Sequence, residues 1–256
     1  MELMVPVDGG ELYTEDTQSQ GFPVVLLHPG WGDSRIWQPV VDLLAGRARI
    51  IRYDVRGYHR SPASAVPFTQ LGDLRAILDQ LAVPPAVVVG HSGGGGTAIG
   101  LALADPGRVR SLLLLAPGLP DYPWPADDPF FVQFGALFAD GDHEGLTALG
   151  MRTWAPAADD PTTREQIGSA VTALLNQPAN ELPDPPAFDR LAEIAVPSTL
   201  MIGGRDHPAV VECANTIAAR IRGSRTLTFP EADHMLPLRI PEVVADHIAR
   251  HGSGPG

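Results

Sequence analysis

Short apolar runs, rich in β-branched residues, alternate along this chain with stretches whose apolar positions recur at helical spacing. Residues 24–28, 49–53, 85–90, 110–116, 197–204 and 225–229 are the short runs. Residues 24–28, 85–90 and 110–116 carry little or no charge and read as strands buried on both faces, and the other runs read as further strands. Between them the spacing predicts helices over 36–45, 68–81, 94–104, 209–221 and 241–251, with Asp33 or Ser34 as a cap for the first. At the start, residues 3–7 and 11–14 flank Asp8-Gly9-Gly10 and predict a hairpin. Strands that alternate with helices need crossover connections, so the sheet is expected to be mainly parallel.

The alternation breaks between 118 and 186, a stretch rich in proline and acidic residues. Three helical pieces are expected within it, over 130–138, 146–154 and 164–175. A helical insertion between two sheet strands reads as a lid. The chain then divides into a core, 1–117 and 187–251, a helical insertion, 118–186, and a flexible tail, 252–256. Trp124, Phe130, Phe131, Phe134, Phe138 and Trp154 supply aromatic surface in or beside these pieces. Each either lines a pocket or packs the insertion onto the core.

Composition narrows the classes. A length of 256 residues suits one α/β domain with an insertion. A formal charge of −12 argues against a nucleic-acid binder and against docking on an anionic membrane. Cys213 is the one cysteine, which rules out an intrachain disulfide and reads as a small buried residue. The first residues lack a basic segment and a long apolar stretch, and no run reaches membrane-spanning length, so a cytoplasmic protein is expected. The sequence is compatible with a homodimer and does not specify one.

The candidate chemistry centres on Gly90-His91-Ser92-Gly93-Gly94. This fits the G-x-S-x-G nucleophile elbow, with a strand before it and a helix after it. Glycines two before and two after the serine let strand and helix backbones approach and leave the hydroxyl exposed. A serine hydroxyl needs a base, and the base needs a third group to orient it. Ser92, Asp206 and His234 each follow a strand, in the order serine, acid, histidine. Asp121 is the alternative acid, while Asp233 adjoins His234 and is badly placed to reach its ring. His91 is expected to point away from the serine, and His207 reads as a loop residue. His28 reads as a structural hydrogen-bonding residue, and His59, His143, His247 and His251 as surface or loop positions. Acyl transfer also needs amide donors for the developing oxyanion. Gly93 is one, and Gly30 or Trp31 the other, since Pro29 has no N–H. Trp31, His91, Phe131, Phe134, Phe138, Trp154 and Met235 are the expected pocket residues. No metal or other cofactor is implied, because no His, Asp or Glu cluster has ligand spacing.

Taken together, His28-Pro29-Gly30, residues 54–61 (Asp-Val-Arg-Gly-Tyr-His-Arg-Ser), the elbow, Gly203-Gly204-Arg205-Asp206 and Asp233-His234 resemble the motifs of the α/β-hydrolase superfamily. The resemblance covers nearly the whole chain and implies a core of about eight strands, helices on both faces and a helical cap after the sixth strand. It departs at Pro29 and at His59, where relatives carry glycine. Serine at the elbow sets the chain apart from relatives that open epoxides or cleave carbon–halogen bonds. The chain is most similar to small capped esterases, enol-lactonases, carbon–carbon bond hydrolases and perhydrolases. The implied function is serine hydrolysis of a small ester, lactone or thioester. Two alternatives stay open, a non-hydrolytic lyase or cyclase acting on a biosynthetic intermediate and a ligand-binding signal receptor on a hydrolase scaffold.

Overall fold

The computed structural model describes residues 1–176 and 180–252. The chain starts with β1 (Glu2–Val7) and β2 (Gly10–Asp16), followed by β3 (Phe22–Leu27), α1 (Gln38–Leu43), β4 (Ala48–Tyr53) and α2 (Gln70–Gln80). It continues through β5 (Ala86–His91), α3 (Gly93–Ala104) and β6 (Val109–Leu115). An insertion of α4 (Pro129–Ala139), α5 (His143–Trp154) and α6 (Pro161–Asn176) comes next. Then β7 (Ser198–Gly203), α7 (Pro208–Arg220), β8 (Arg225–Phe229), α8 (Leu236–Arg239) and α9 (Pro241–Gly252) complete the described chain.

The eight strands form one sheet in the order β1-β2-β4-β3-β5-β6-β7-β8. β1 and β2 pair antiparallel, as do β2 and β4, and every later pairing is parallel. β5 lies inside the sheet and is buried along its whole length. Val88 faces a core layer with Leu71, Ile99 and Ile217, whereas Val87 and Val89 face the other layer, with Trp37, Val244 and Ile248. That explains its unbroken apolar run, since neither face meets water. The insertion helices pack into this second layer through Leu149, Trp154 and Ile167.

Two expectations need correction. The helix expected over 36–45 is split into a 3-10 turn, Ser34–Trp37, and α1. Pro39 sits in the first turn of α1, and its missing N–H cannot extend the preceding turn. Gly252, expected to open the tail, is instead the buried end of α9. The rest of that tail, 253–256, lies outside the described residues.

The chain returns from the insertion along a strap, residues 180–187, held on the core. Phe68 N–H donates to Asn180 O (3.0 Å), and Leu182 N–H donates to Phe68 O (2.7 Å). The Asp184 carboxylate accepts from Leu71 N–H at 2.9 Å, at the start of α2.

Candidate active site

The turn from β5 into α3 puts Ser92 at φ 54° and ψ −119°, a left-handed conformation that costs a side-chain-bearing residue energy. The surrounding bonds impose it. Ser92 N–H donates to Leu115 O (2.9 Å), and Ser92 O accepts from Gly95 N–H (2.8 Å) and Gly118 N–H (3.0 Å). The flanking glycines are demanded by contact. A Cβ on Gly90 would lie 2.4 Å from Gly94 O, and one on Gly94 would lie 2.6 Å from Leu27 O. The two further glycines serve packing as well, because a Cβ on Gly95 would lie 2.9 Å from Pro117 and one on Gly96 2.8 Å from Gly118 O.

Asp206 follows β7 and His234 follows β8, so the parallel sheet delivers both beside the end of β5. His234 Nδ1 lies 2.8 Å from Asp206 Oδ2, and both side chains are almost fully buried. The carboxylate accepts from Nδ1–H, which leaves the lone pair on Nε2. Nε2 is buried without a hydrogen-bond partner, and Ser92 is half-buried next to the loop. The geometry is that of a base oriented by an acid, its accepting atom unoccupied.

The other acids are engaged elsewhere. Asp121 Oδ2 accepts from Ala187 N–H and Phe188 N–H, both at 2.8 Å. Asp233 is fully buried and turned from the His234 ring. It accepts from Met235 N–H (3.0 Å), Ala157 N–H (3.0 Å) and Arg239 Nε (3.1 Å). Arg239 in turn donates to Asp160 (2.9 Å) and to Ala158 O (3.1 Å), binding the α5–α6 junction to the His234 loop.

His91 sits in the core with no exposed surface. Its Nε2–H donates to His234 O at 2.8 Å, and the two rings are 4.9 Å apart. Burial, reinforced by the neighbouring His234, holds its protonation far below the usual histidine range, so His91 stays neutral beside the base.

The loop after β3 brings Gly30 opposite Gly93, at the start of α3. Gly30 N stands 4.0 Å from where a Cβ on Gly93 would be, so the two backbones face each other across an open spot. His28 Nδ1–H donates to Pro29 O (2.9 Å), and the Tyr58 hydroxyl donates to Gly30 O (3.1 Å). The resemblance's second departure has a backbone explanation: His59 adopts φ 41°, the left-handed conformation that a glycine would take without strain. Asp54, in the same motif, accepts from Ser34 N–H (2.9 Å) and fixes the turn before α1.

A cavity of about 280 Å³ opens beside Ser92 and Gly93. Trp31, Trp124, Phe130, Phe131 and Trp154 line it, with His207 and Val210 opposite. Of the expected pocket residues, His91, Phe134, Phe138 and Met235 do not line it. His91 and Met235 are fully buried, Met235 with its amide held by Asp233. Phe134 packs behind Trp31 and Phe130, with ring centroids 5.9 Å and 6.0 Å away. Phe138 stacks on the outside of Phe134 and is 43% exposed. Sequence reasoning missed His207. It lies between β7 and α7, at the carboxyl end of the sheet where ligands of parallel sheets gather, and that position was the available signal. Trp154 also touches His234 itself, at 4.8 Å between ring centroids.

Among the described residues, no group of three or more His, Cys, Asp or Glu could hold a metal ion. Nor is any described helix long and apolar enough to cross a membrane.

Comparison with known proteins identifies the family of this fold. Residues 24–247 match the alpha/beta hydrolase family. A protein of Azorhizobium caulinodans named as a candidate carbamate hydrolase, RutD, is 31% identical over 229 residues, covering 82% of each chain. The pimeloyl-[acyl-carrier protein] methyl ester esterase of Methylococcus capsulatus is 30% identical, covering 86% of this chain and 90% of that one. The solved structure of an esterase from Exiguobacterium antarcticum superposes with a TM-score of 0.83 at 24% identity, covering 99% of this chain and all of that one.

Proposed function

The chain belongs to the α/β-hydrolase family, and from that premise we propose that it is a serine hydrolase of a small ester, lactone or thioester. The observation that carries the reading is the buried His234–Asp206 pair at 2.8 Å, with His234 Nε2 unpartnered and Ser92 on a strained turn.

Ser92 attacks the substrate carbonyl as its proton passes to His234 Nε2. The Asp206 carboxylate holds the ring's tautomer and stabilises the imidazolium. The carbonyl oxygen, now an oxyanion, sits between the Gly30 and Gly93 N–H groups. Collapse expels the alcohol or thiol, which takes the proton from His234 and leaves an acyl-Ser92. Water then attacks the acyl group, giving its proton to His234, and the acid product departs as Ser92 recovers its hydrogen. Residues 118–186 serve as the cap of this site, closing the aromatic cavity over Ser92.

Replacement Ser92→Ala is expected to abolish hydrolysis of an activated aryl ester while leaving the thermal midpoint within a few degrees of the parent. Undiminished turnover by the purified variant would remove the serine mechanism.

A further inference from the structure

Two cavities meet at Gly93. One is the aromatic chamber of about 280 Å³ that contains Ser92. The other is a groove of about 740 Å³ between α2, α3 and the strap. Gly93, Leu119 and Pro120 line both. A carbonyl held by the Gly93 amide therefore has one space for each of its two substituents.

The two spaces differ in chemistry. The chamber carries five aromatic side chains and His207, whose ring stands 3.5 Å from Asp128, and no carboxylate, lysine or arginine. A charged substituent placed there would lose its hydration against mostly apolar walls, and the His207 ring already faces Asp128. Apolar cavities of about 150 Å³ accept benzene, so this volume suits a single ring on a short linker.

The groove is amphiphilic: Leu71, Leu119, Leu182 and the strap prolines form apolar wall between polar groups, and its ionic groups are already satisfied. Asp184 accepts from Leu71 N–H (2.9 Å) and the Thr97 hydroxyl (3.4 Å), and Glu181 accepts from Gln70 Nε2 (2.7 Å). Asp121 is occupied by the two amides of residues 187 and 188. Arg75, the cation of the groove, is bound to Asp105 at 2.5 Å. Three carboxylates repel an anion, and the hydroxyl and amide groups of Thr69, Gln70 and Thr97 suit a neutral polar chain. The strap wall carries Pro183, Pro185 and Pro186 and is tied to Phe68 and Leu71, so it is stiff before anything binds.

We infer that the substrate is bipartite, an ester joining one ring-sized apolar group, held in the chamber, to one uncharged polar chain, held in the groove. Esters with an anionic chain are rejected. This inference rests on the serine-hydrolase reading.

The test compares kcat/KM of the full chain on five esters. Two are bipartite, methoxyethoxyethyl phenylacetate and, in the reverse sense, benzyl methoxyethoxyacetate. The third, methoxyethoxyethyl acetate, lacks the ring. The fourth, hexyl phenylacetate, lacks the polar chain, and the fifth, carboxymethyl phenylacetate, is anionic. One bipartite ester is expected to exceed all three others by about tenfold or more, within the range that single pocket contacts supply. Phe131→Ala should shrink only the advantage over the ringless ester. Thr97→Val should shrink only the advantage over the hexyl ester, with Gln70→Leu as the second groove variant should Thr97→Val not fold. Equal rates for the anionic or ringless ester, or variants that slow every ester by one factor, would overturn the inference. If rates are level while Ser92→Ala remains inactive, the substrate class fails and the hydrolase reading stands. Hydrolysis of none of the esters through Ser92 would overturn both.

Discussion

His28 shows how one side chain can orient a peptide of the proposed oxyanion site without touching that site. Its Nδ1–H holds Pro29 O at 2.9 Å, while its Nε2 accepts Val55 N–H at 2.9 Å. Pro29 O and Gly30 N–H belong to one planar trans peptide, so fixing the carbonyl fixes the opposed N–H. The Tyr58 hydroxyl braces the next carbonyl, Gly30 O. Proline in place of the usual glycine removes a donor and stiffens the peptide before Gly30. Misaiming a single oxyanion donor costs about 10²–10³ in kcat, so His28→Phe is expected to lower kcat by that order with little change in KM. It should weaken a tetrahedral boronate inhibitor in parallel. A kcat within threefold of the parent would leave His28 with only a packing role. The sequence disqualified Pro29 as a donor from its chemistry alone. The role of His28 was hidden, because a histidine at a strand end says nothing about which carbonyl its ring will meet.

Among the elements, α5 couples the insertion to His234, the proposed base. Its last residue, Trp154, is buried and packs on His234 at 4.8 Å and on Phe130 at 4.7 Å. An indole face beside the imidazole limits its rotation and favours the cation that forms when Nε2 takes the serine proton. Trp154→Leu is expected to lower kcat roughly tenfold, a loss of about 1.4 kcal/mol in the transition state, and Trp154→Phe should recover most of it. Leucine and phenylalanine variants of equal kcat would show that the ring contributes volume alone. The elements themselves were legible: the apolar runs and helical spacings correspond to β3 through β8 and to every long helix. Strands buried on both faces leave an unmistakable apolar signature, as β5 does. The pocket was less legible because α4, Pro-Phe-Phe-Val-Gln-Phe-Gly-Ala-Leu-Phe-Ala, is apolar nearly all round. Its pattern does not say that Phe130 is buried, that the partly exposed Phe131 lines the chamber, or that Phe138 stays outside it. His207 was overlooked for a related reason, since the loop geometry that swings it over the chamber leaves no periodic trace.

At the scale of the whole molecule, Asp33 fastens the insertion to the core. Fully buried, it accepts from Arg35 Nη2 (2.8 Å), Gln166 Nε2 (3.2 Å) and the Ser169 hydroxyl (2.9 Å), the last two on α6. Burial opposes its ionisation, but the Arg35 hydrogen bonds and charge outweigh burial and hold its carboxyl well below the usual range. A depressed folded-state value means that the unfolded chain binds the proton more readily. The clamp's stabilisation is therefore complete above the ordinary aspartate range and disappears as pH falls through the lower folded-state value. Urea unfolding should show the parent about 3 kcal/mol more stable than Asp33→Asn at neutral pH, with the gap narrowing as pH falls from about 5 to about 2. Parallel losses in that window would assign the acid sensitivity elsewhere. The Asp233–Arg239 knot reaches the same insertion at residues 157–160, one residue from His234 in the chain. For a lineage drifting in sequence, the insertion is thus two materials. Changes at 155–163 are transmitted to the loop that carries the base, and selection for activity would censor them. Phe130 is tied to that loop through Trp154, whereas Phe131 packs on Trp124 and Phe130, so new substrate ranges have an inexpensive route through Phe131.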